Sequence, residues 1–252
     1  GVSVGIRVNP ECSTQEHAIY DPCAPGSRLG VTPELMRGAD LSGISGLHFH
    51  TLCEQDADAL AVTLAAVEEK FADLLPKMQW LNFGGGHHIT RPGYDLATLE
   101  SCILSVRQKY GVQVYLEPGE AAITNSASLE VTVLDTLYNG KHLAVVDSSI
   151  EAHMLDLLIY RLNAKMAPCD GEHTYMVCGK SCLAGDIFGE YQFDRPLAIG
   201  DRLSFVDTAG YTMVKKNWFN GLRMPSIVVK QLDGTVEVVR EFGYDDYLSS
   251  LS

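Results

Sequence analysis

Apolar and polar positions follow two different rhythms along this chain. Up to about residue 120, short β-rich runs alternate with longer stretches of helical period. The runs Val2–Val8, Gly46–His50, Trp80–Phe83 and Gln113–Leu116 predict strands. Between them, Asp56–Leu75 places Leu60, Thr63, Leu64, Val67, Phe71 and Leu74 on one face of a predicted helix. A second helix is predicted over Asp95–Tyr110, closed by Gly111 as a C-cap glycine. Strand–helix alternation of this kind predicts βαβ units around a parallel sheet.

Past Pro118 the rhythm shortens to that of strands. Glu130–Leu137, His142–Val146, Tyr175–Cys178, Arg202–Val206, Ser226–Gln231 and Val236–Phe242 all read as β, with one short helix expected over Ala152–Leu162. Asp233-Gly234 between two β-branched runs predicts a hairpin. The expected division is therefore an α/β part over 1–125 and a mostly antiparallel β-domain with a short helical insertion over 126–252. An eight-stranded α/β barrel takes roughly 250 residues by itself. Four βα units therefore predict either a small open sheet or half of a barrel.

Composition narrows the function classes. The 252 residues are 46% hydrophobic and 20% charged, with a formal net charge of −13. Lys and Arg are scattered, so the basic footprint that nucleic acid requires is missing, while an acidic surface suits a cationic small molecule. No apolar run approaches the length of a membrane span and the first residues do not resemble a secretory leader, so no membrane association is expected. The cysteines Cys12, Cys23, Cys53, Cys102, Cys169, Cys178 and Cys182 are irregularly spaced and include no CxxC pair. That argues against a disulfide framework or a metal site and for a reducing, cytoplasmic compartment.

Parallel sheets carry their chemistry at the carboxyl ends of the strands. The second run ends Gly46-Leu47-His48-Phe49-His50, with His48 and His50 on one face by the two-residue period. Such a pair more often serves structural hydrogen bonding than ligand binding, and as zinc ligands the two lack a third partner. The third run ends in Gly84-Gly85-Gly86, where unusual backbone angles let amides approach an anion. A plain flexible turn has the same composition, and neither the Walker nor the dinucleotide pattern is present. The fourth ends Glu117-Pro118-Gly119-Glu120. In the β-rich half, Cys182 is either an inert or a reactive thiol, and Tyr211 follows Gly210 near a strand end.

In order, Gly46–His50 (GLHFH), Gly84–Gly86 (GGG), Glu117–Gly119 (EPG), Gly179–Cys182 with Asp186, and Gly210–Gly221 (GYTMVKKNWFNG) span nearly the whole chain. They resemble the motifs of the fold-type III pyridoxal-phosphate decarboxylases, the family of ornithine and diaminopimelate decarboxylases. The resemblance implies the C-terminal half of an alanine-racemase-like (β/α)8 barrel followed by a mostly antiparallel β-domain, with pyridoxal 5'-phosphate as cofactor. It implies that His50 stacks on the pyridine ring and that Gly84, Gly85 and Gly86 hold the phosphate, with the Tyr211 hydroxyl assisting. It further implies that Glu117 pairs with the pyridinium nitrogen. Cys182, shared across a homodimer interface, is implied as the general acid.

Two departures point to a branch. Glu120 stands where relatives carry Arg, and Leu183 stands where ornithine-type relatives carry Asp. EPGEA (Glu117–Ala121), DSSIEAHMLD (Asp147–Asp156) and CLAGD (Cys182–Asp186) are similar to the branch acting on carboxynorspermidine or carboxyspermidine. A cationic carboxylated polyamine is the implied substrate, with Glu120, Asp156, Asp147 and Asp186 as its carboxylate partners. The alternative for Asp156 is a solvated helix position. The family holds its cofactor on a lysine near the first barrel strand, and none of this chain's lysines has a comparable setting. The resemblance thus predicts a further N-terminal segment of about 120 residues. The competing readings are a relative acting on diaminopimelate, ornithine or arginine, and a non-catalytic homologue.

Overall fold

Residues 1–168 and 170–251 are described by a computed structural model, and Cys169 and Ser252 lie outside the described residues. They form two units, Gly1–Ala122 and Ile123–Ser252.

In the first unit the aliphatic runs become β1 (Val4–Arg7), β2 (Ile44–His48), β3 (Trp80–Asn82) and β4 (Gln113–Tyr115). They form one all-parallel sheet in the order β1-β2-β3-β4. Ile6, Leu47, Leu81 and Val114 are register partners, so one aliphatic row crosses every strand. Between β1 and β2 lies a one-turn helix, α1 (Pro33–Met36). Helix α2 (Ala57–Lys70) starts where the Asp56 carboxylate accepts the Ala57 N–H. It ends earlier than the apolar period predicts. Phe71 leaves helical geometry, and Pro76 shapes a separate 3-10 turn, Leu75–Lys77, while Phe71 and Leu75 stay buried. Burial outlasts the helix because the core still needs those side chains. Helix α3 (Leu96–Tyr110) is capped by Asp95 and closes at Gly111, whose φ of 71° fits the predicted cap. Leu47, Phe49, Leu60, Val67, Leu81, Phe83 and Val106 are fully enclosed between sheet and helices. Each such side chain contributes about 1.5–3 kcal/mol through burial.

The second unit is built on β5 (Ser128–Tyr138), β6 (His142–Val146), β7 (His173–Cys178), β8 (Ile187–Phe193) and β9 (Arg202–Val206), ordered β8-β7-β6-β5-β9. Three ladders are antiparallel and β6–β7 is parallel, so the sheet is mixed. The parallel crossover carries two helices, α4 (Ile150–His153) and α5 (Leu155–Tyr160), where one was expected. Met154, at φ −139° and ψ 55°, separates them. Strand β8 escapes prediction because Gly189 and Glu190 interrupt its apolar run. Tertiary burial overrides that weak propensity: Phe188 is enclosed and stacks on Phe205 with centroids 4.5 Å apart. Strands β10 (Ile227–Lys230) and β11 (Val236–Arg240) form the expected hairpin, closed by a Gln231 N–H to Thr235 carbonyl bond of 2.8 Å. A last helix, α6 (Tyr244–Ser249), follows Gly243, whose amide donates to the Asp246 carboxylate. Among the described residues, no helix is long and apolar enough to cross a membrane.

Candidate active site

Parallel pairing sets the carboxyl ends of β1 to β4 side by side. Their last rungs pair Arg7 with His48, His48 with Asn82, and Asn82 with Tyr115, and Glu117 follows two residues after β4. Glu117 Oε1 accepts from Asn82 Nδ2 at 2.8 Å, and Oε2 lies 3.4 Å from His48 Nε2. The Glu117 side chain is still 51% exposed. A carboxylate steadied on two sides and open on a third is placed to receive a cationic N–H.

His50 lies just past β2. Its carbonyl accepts from the Arg7 guanidinium at 3.2 Å, and its Nδ1 accepts the Gly85 N–H at 2.9 Å. An accepting Nδ1 puts the ring proton on Nε2. Burial first, then the Arg7 charge, holds this imidazole below the usual histidine range, so the ring is neutral at neutral pH. His48 is also pushed down, by burial above all, with Glu117 opposing.

The glycine turn is shaped by close approach. Gly84 and Gly86 have φ of 72° and 81°. A Cβ would lie 2.5 Å from the Phe49 carbonyl oxygen at Gly84, 2.7 Å from that of Glu117 at Gly85, and 2.2 Å from that of Leu52 at Gly86. Only glycine fits at each. The Gly84 and Gly85 amides already donate, to Asn82 Oδ1 and His50 Nδ1. The cradle is one that any side chain would fill, and the groups around it fit a phosphorylated aromatic cofactor. Glu120 opens a 3-10 turn, Glu120–Ala122, and is half-buried.

In the second unit Cys182 is exposed on the loop between β7 and β8. That loop is built around Asp186, which is only 3% exposed. Its carboxylate accepts the Ser181 N–H at 3.0 Å and the Ile150 N–H at 2.8 Å. Gly179 clears room for it, since a Cβ there would meet Asp186 Oδ2 at 2.2 Å. Asp186 thus holds the loop rather than facing solvent. Asp147 accepts the Thr132 N–H at 2.7 Å and faces a cavity of about 520 Å³ that His153, Lys180, Arg202 and Arg223 also line. Asp156 is paired with Lys215 Nζ at 2.6 Å, and the same ammonium sits 4.9 Å from the centre of the Tyr211 ring. Tyr211 is half-exposed at φ 47°.

The structure therefore gathers His50, Gly84, Gly85, Gly86 and Glu117 at one strand end. It gathers Cys182 with Asp186 on one loop, and Asp156 with Tyr211 through Lys215. Sequence reasoning missed Arg7 and Asn82 as members of the strand-end group, and Glu151, whose Oε2 accepts from Ser181 Oγ at 3.0 Å. Arg7 and Asn82 had a usable signal, since each is the last but one residue of a predicted strand, Val2–Val8 and Trp80–Phe83. Glu151 had none.

The strand end presents a half-open carboxylate, a neutral imidazole and a turn free of side chains, the kinds of group with which cofactor-dependent enzymes hold a phosphorylated aromatic ring. Comparison with known proteins narrows that class. Residues 18–209 match the family model for the pyridoxal-dependent decarboxylase C-terminal sheet domain. The chain is 49% identical over 249 residues to a carboxynorspermidine/carboxyspermidine decarboxylase of Herminiimonas arsenicoxydans, covering 98% of this chain and 68% of that protein. It is 42% identical to a carboxyaminopropylagmatine decarboxylase of Synechocystis, covering 99% of this chain and 66% of that protein. The crystal structure of carboxynorspermidine decarboxylase from Campylobacter jejuni, complexed with norspermidine, superposes with a TM-score of 0.89 at 40% identity. That match covers 98% of this chain and 69% of the other. The chain belongs to the pyridoxal-dependent decarboxylases.

Proposed function

We propose that this chain serves a pyridoxal-phosphate-dependent carboxy-lyase that removes the α-carboxylate of carboxynorspermidine or carboxyspermidine, yielding norspermidine or spermidine. The observation that carries the reading is the strand-end group, in which Glu117, the neutral His50 and the Gly84–Gly86 cradle come together. The identity of 49% to a decarboxylase of these two compounds supports the choice of substrate.

When bound, the cofactor supplies the electron sink for the pair left behind by departing CO2. The residues of this chain do the rest. The His50 ring would pack on the cofactor's ring. Gly84, Gly85 and Gly86, which leave no side chain in the cradle, would hold the phosphate, with the Tyr211 hydroxyl as a further donor. Glu117, steadied by Asn82, keeps a proton on the ring nitrogen. Arg7 fixes the His50 main chain. The Cys182 thiol, contributed by one copy of the chain to the strand-end site of a second, gives its proton to the carbon that lost CO2. Glu120 and Asp156 receive substrate ammonium groups, with Asp147 at the edge, and Asp186 acts by holding the Cys182 loop. The sheet β1 to β4 is half of an eight-stranded barrel, the working state is a homodimer, and the compartment is the cytoplasm.

The test is CO2 release by the holoenzyme over a panel of carboxynorspermidine, carboxyspermidine, carboxyaminopropylagmatine, diaminopimelate and ornithine. The two carboxylated triamines are expected to lead in kcat/KM, and Glu117→Ala to lower it on the order of 100-fold or more. Diaminopimelate or ornithine as the best substrate overturns the assignment. Carboxyaminopropylagmatine in first place selects a second reading, favoured by the 42% identity to the Synechocystis enzyme.

A further inference from the structure

Two thiols of the first unit have no part in the chemistry above. Cys12 and Cys23 lie on the loop between β1 and α1, and both are free, the first half-buried and the second 8% exposed. One side chain holds their surroundings together. Asn9, itself only 4% exposed, accepts the Glu11 amide on Oδ1 at 2.8 Å and donates from Nδ2 to the Pro22 carbonyl at 3.3 Å. Its carboxamide thus bridges the residue before Cys12 to the residue before Cys23. Each side is pinned a second time. Lys70 Nζ reaches the Glu11 carbonyl at 3.3 Å, and the Asp21 carboxylate accepts the Cys23 amide at 2.8 Å.

The Cys12 amide also hydrogen-bonds to the Cys23 sulfur. That leaves the two thiols a side-chain rotation apart, within the span a disulfide bridges. Burial pushes the Cys23 thiol up, with the Cys12 amide opposing. Cys23 is therefore protonated and sheltered at neutral pH, and Cys12 is the thiol that a solute reaches first. Among the described residues, no three acid, histidine or cysteine side chains are placed to share a metal ion. The chemistry open to this pair is that of a dithiol. Its setting matters because Cys23 lies within electrostatic reach of Arg7, whose guanidinium holds the His50 carbonyl.

We propose that Cys12 and Cys23 form an oxidative modification site, a dithiol that a peroxide closes to a reversible disulfide. The Cys12 sulfur attacks one peroxide oxygen and breaks the O–O bond. Cys12 becomes a sulfenic acid, and the other oxygen leaves as water or an alcohol with the thiol proton. The Cys23 sulfur then attacks the Cys12 sulfur. The S–S bond forms, the S–O bond breaks, and hydroxide departs as water with the Cys23 proton. The two thiols together give up two electrons, and one peroxide takes them. The site stands whichever substrate the enzyme decarboxylates.

Hydrogen peroxide is the probe: the holoenzyme is treated briefly, alkylated and digested with trypsin. Both cysteines fall in one tryptic peptide, 8–28, since no Lys or Arg separates them. The expected product is that peptide unalkylated and lighter by two hydrogens, with both thiols restored by dithiothreitol. Dimedone, which traps sulfenic acid, is expected to label Cys12 at least about fivefold more in Cys23→Ser, where the resolving thiol is gone. Cys12→Ser is expected to leave Cys23 reduced, because burial shelters it, and this variant decides where Cys23→Ser does not fold. Three results overturn the proposal. One is full alkylation of Cys12 and Cys23 after a peroxide dose that has oxidised the exposed Cys182. Another is equal dimedone labelling of Cys12 with and without Cys23. The third is loss of the Cys23 thiol in Cys12→Ser at the wild-type rate.

Discussion

At the carboxyl ends of β1 to β4, the chemical groups are held largely by main chain. The Gly85 amide fixes His50, the Gly84 carbonyl accepts the Glu117 amide, and three carbonyls crowd the places where glycine side chains would be. Around Cys182 the holding is done by one buried acid, Asp186, bridging a loop to the start of α4. Main-chain holding is rigid and intolerant of added volume. Side-chain holding is intolerant of lost charge and lost acceptors. The two regions should therefore fail to different substitutions.

The largest effect is expected at Gly86. An alanine there combines an unfavourable φ with a Cβ 2.2 Å from the Leu52 carbonyl oxygen, and neither backbone can yield without opening the cradle. Gly86→Ala should cost about 3 kcal/mol or more and abolish cofactor binding. Denaturant unfolding read by Trp80 in a Trp218→Phe background, with the cofactor band alongside, measures both. Gly119→Ala is the control, since a Cβ there meets nothing within 4 Å. Equal behaviour of the two variants would show that the cradle is a plain flexible turn.

Next comes Asp186. Asp186→Ala strands the Ile150 and Ser181 amides, and a buried donor without an acceptor costs about 1–3 kcal/mol. A loss of about 3 kcal/mol is expected for Asp186→Ala and about half of that for Asp186→Asn, which keeps one acceptor oxygen. Trp218, packed on Phe242 and Tyr247, reports this unit in a Trp80→Phe background. If Asn and Ala cost the same, the buried charge and not the acceptor count is what holds the loop.

The contrast also explains what could be read in advance. Strand ends are legible because periodicity places them, and a sheet gathers them whatever the intervening sequence. His50, the glycine triplet and Glu117 are therefore found from pattern and then confirmed as neighbours by their hydrogen bonds. Helix α2 is legible except at its end, where Phe71 and Leu75 keep the apolar period after the backbone has changed course. In the second unit the decisive facts are long-range. Asp186 meets Ile150 across 36 residues, and Asp156 meets Lys215 across 59. No local pattern announces such a pairing, so acids look equally available in sequence when some are already committed. Strand β8 is hidden for the same reason, since its reason to be a strand is the aromatic partner Phe205 on β9.

The smallest effect separates the units by pH. His153 is buried, with Ser148 Oγ 2.8 Å from its Nδ1, and burial together with the charge of Lys180 pushes it down to about 4. A histidine whose folded pKa lies below its ordinary value of about 6.5 binds its proton more readily when unfolded. Its contribution is thus complete above about pH 6.5 and is lost as pH falls toward 4. Between about pH 7.5 and pH 5 the second unit should lose about 2 kcal/mol on this account. His153→Gln removes that proton uptake, so the stability gap between wild type and variant, read by Trp218, should narrow by the same amount on acidification. The histidines of the strand end, His48, His50 and His87, are also held low by burial. Trp80 should report their acid lability unchanged in His153→Gln. A gap that stays constant with pH would mean that His153 is not what makes the second unit acid-labile.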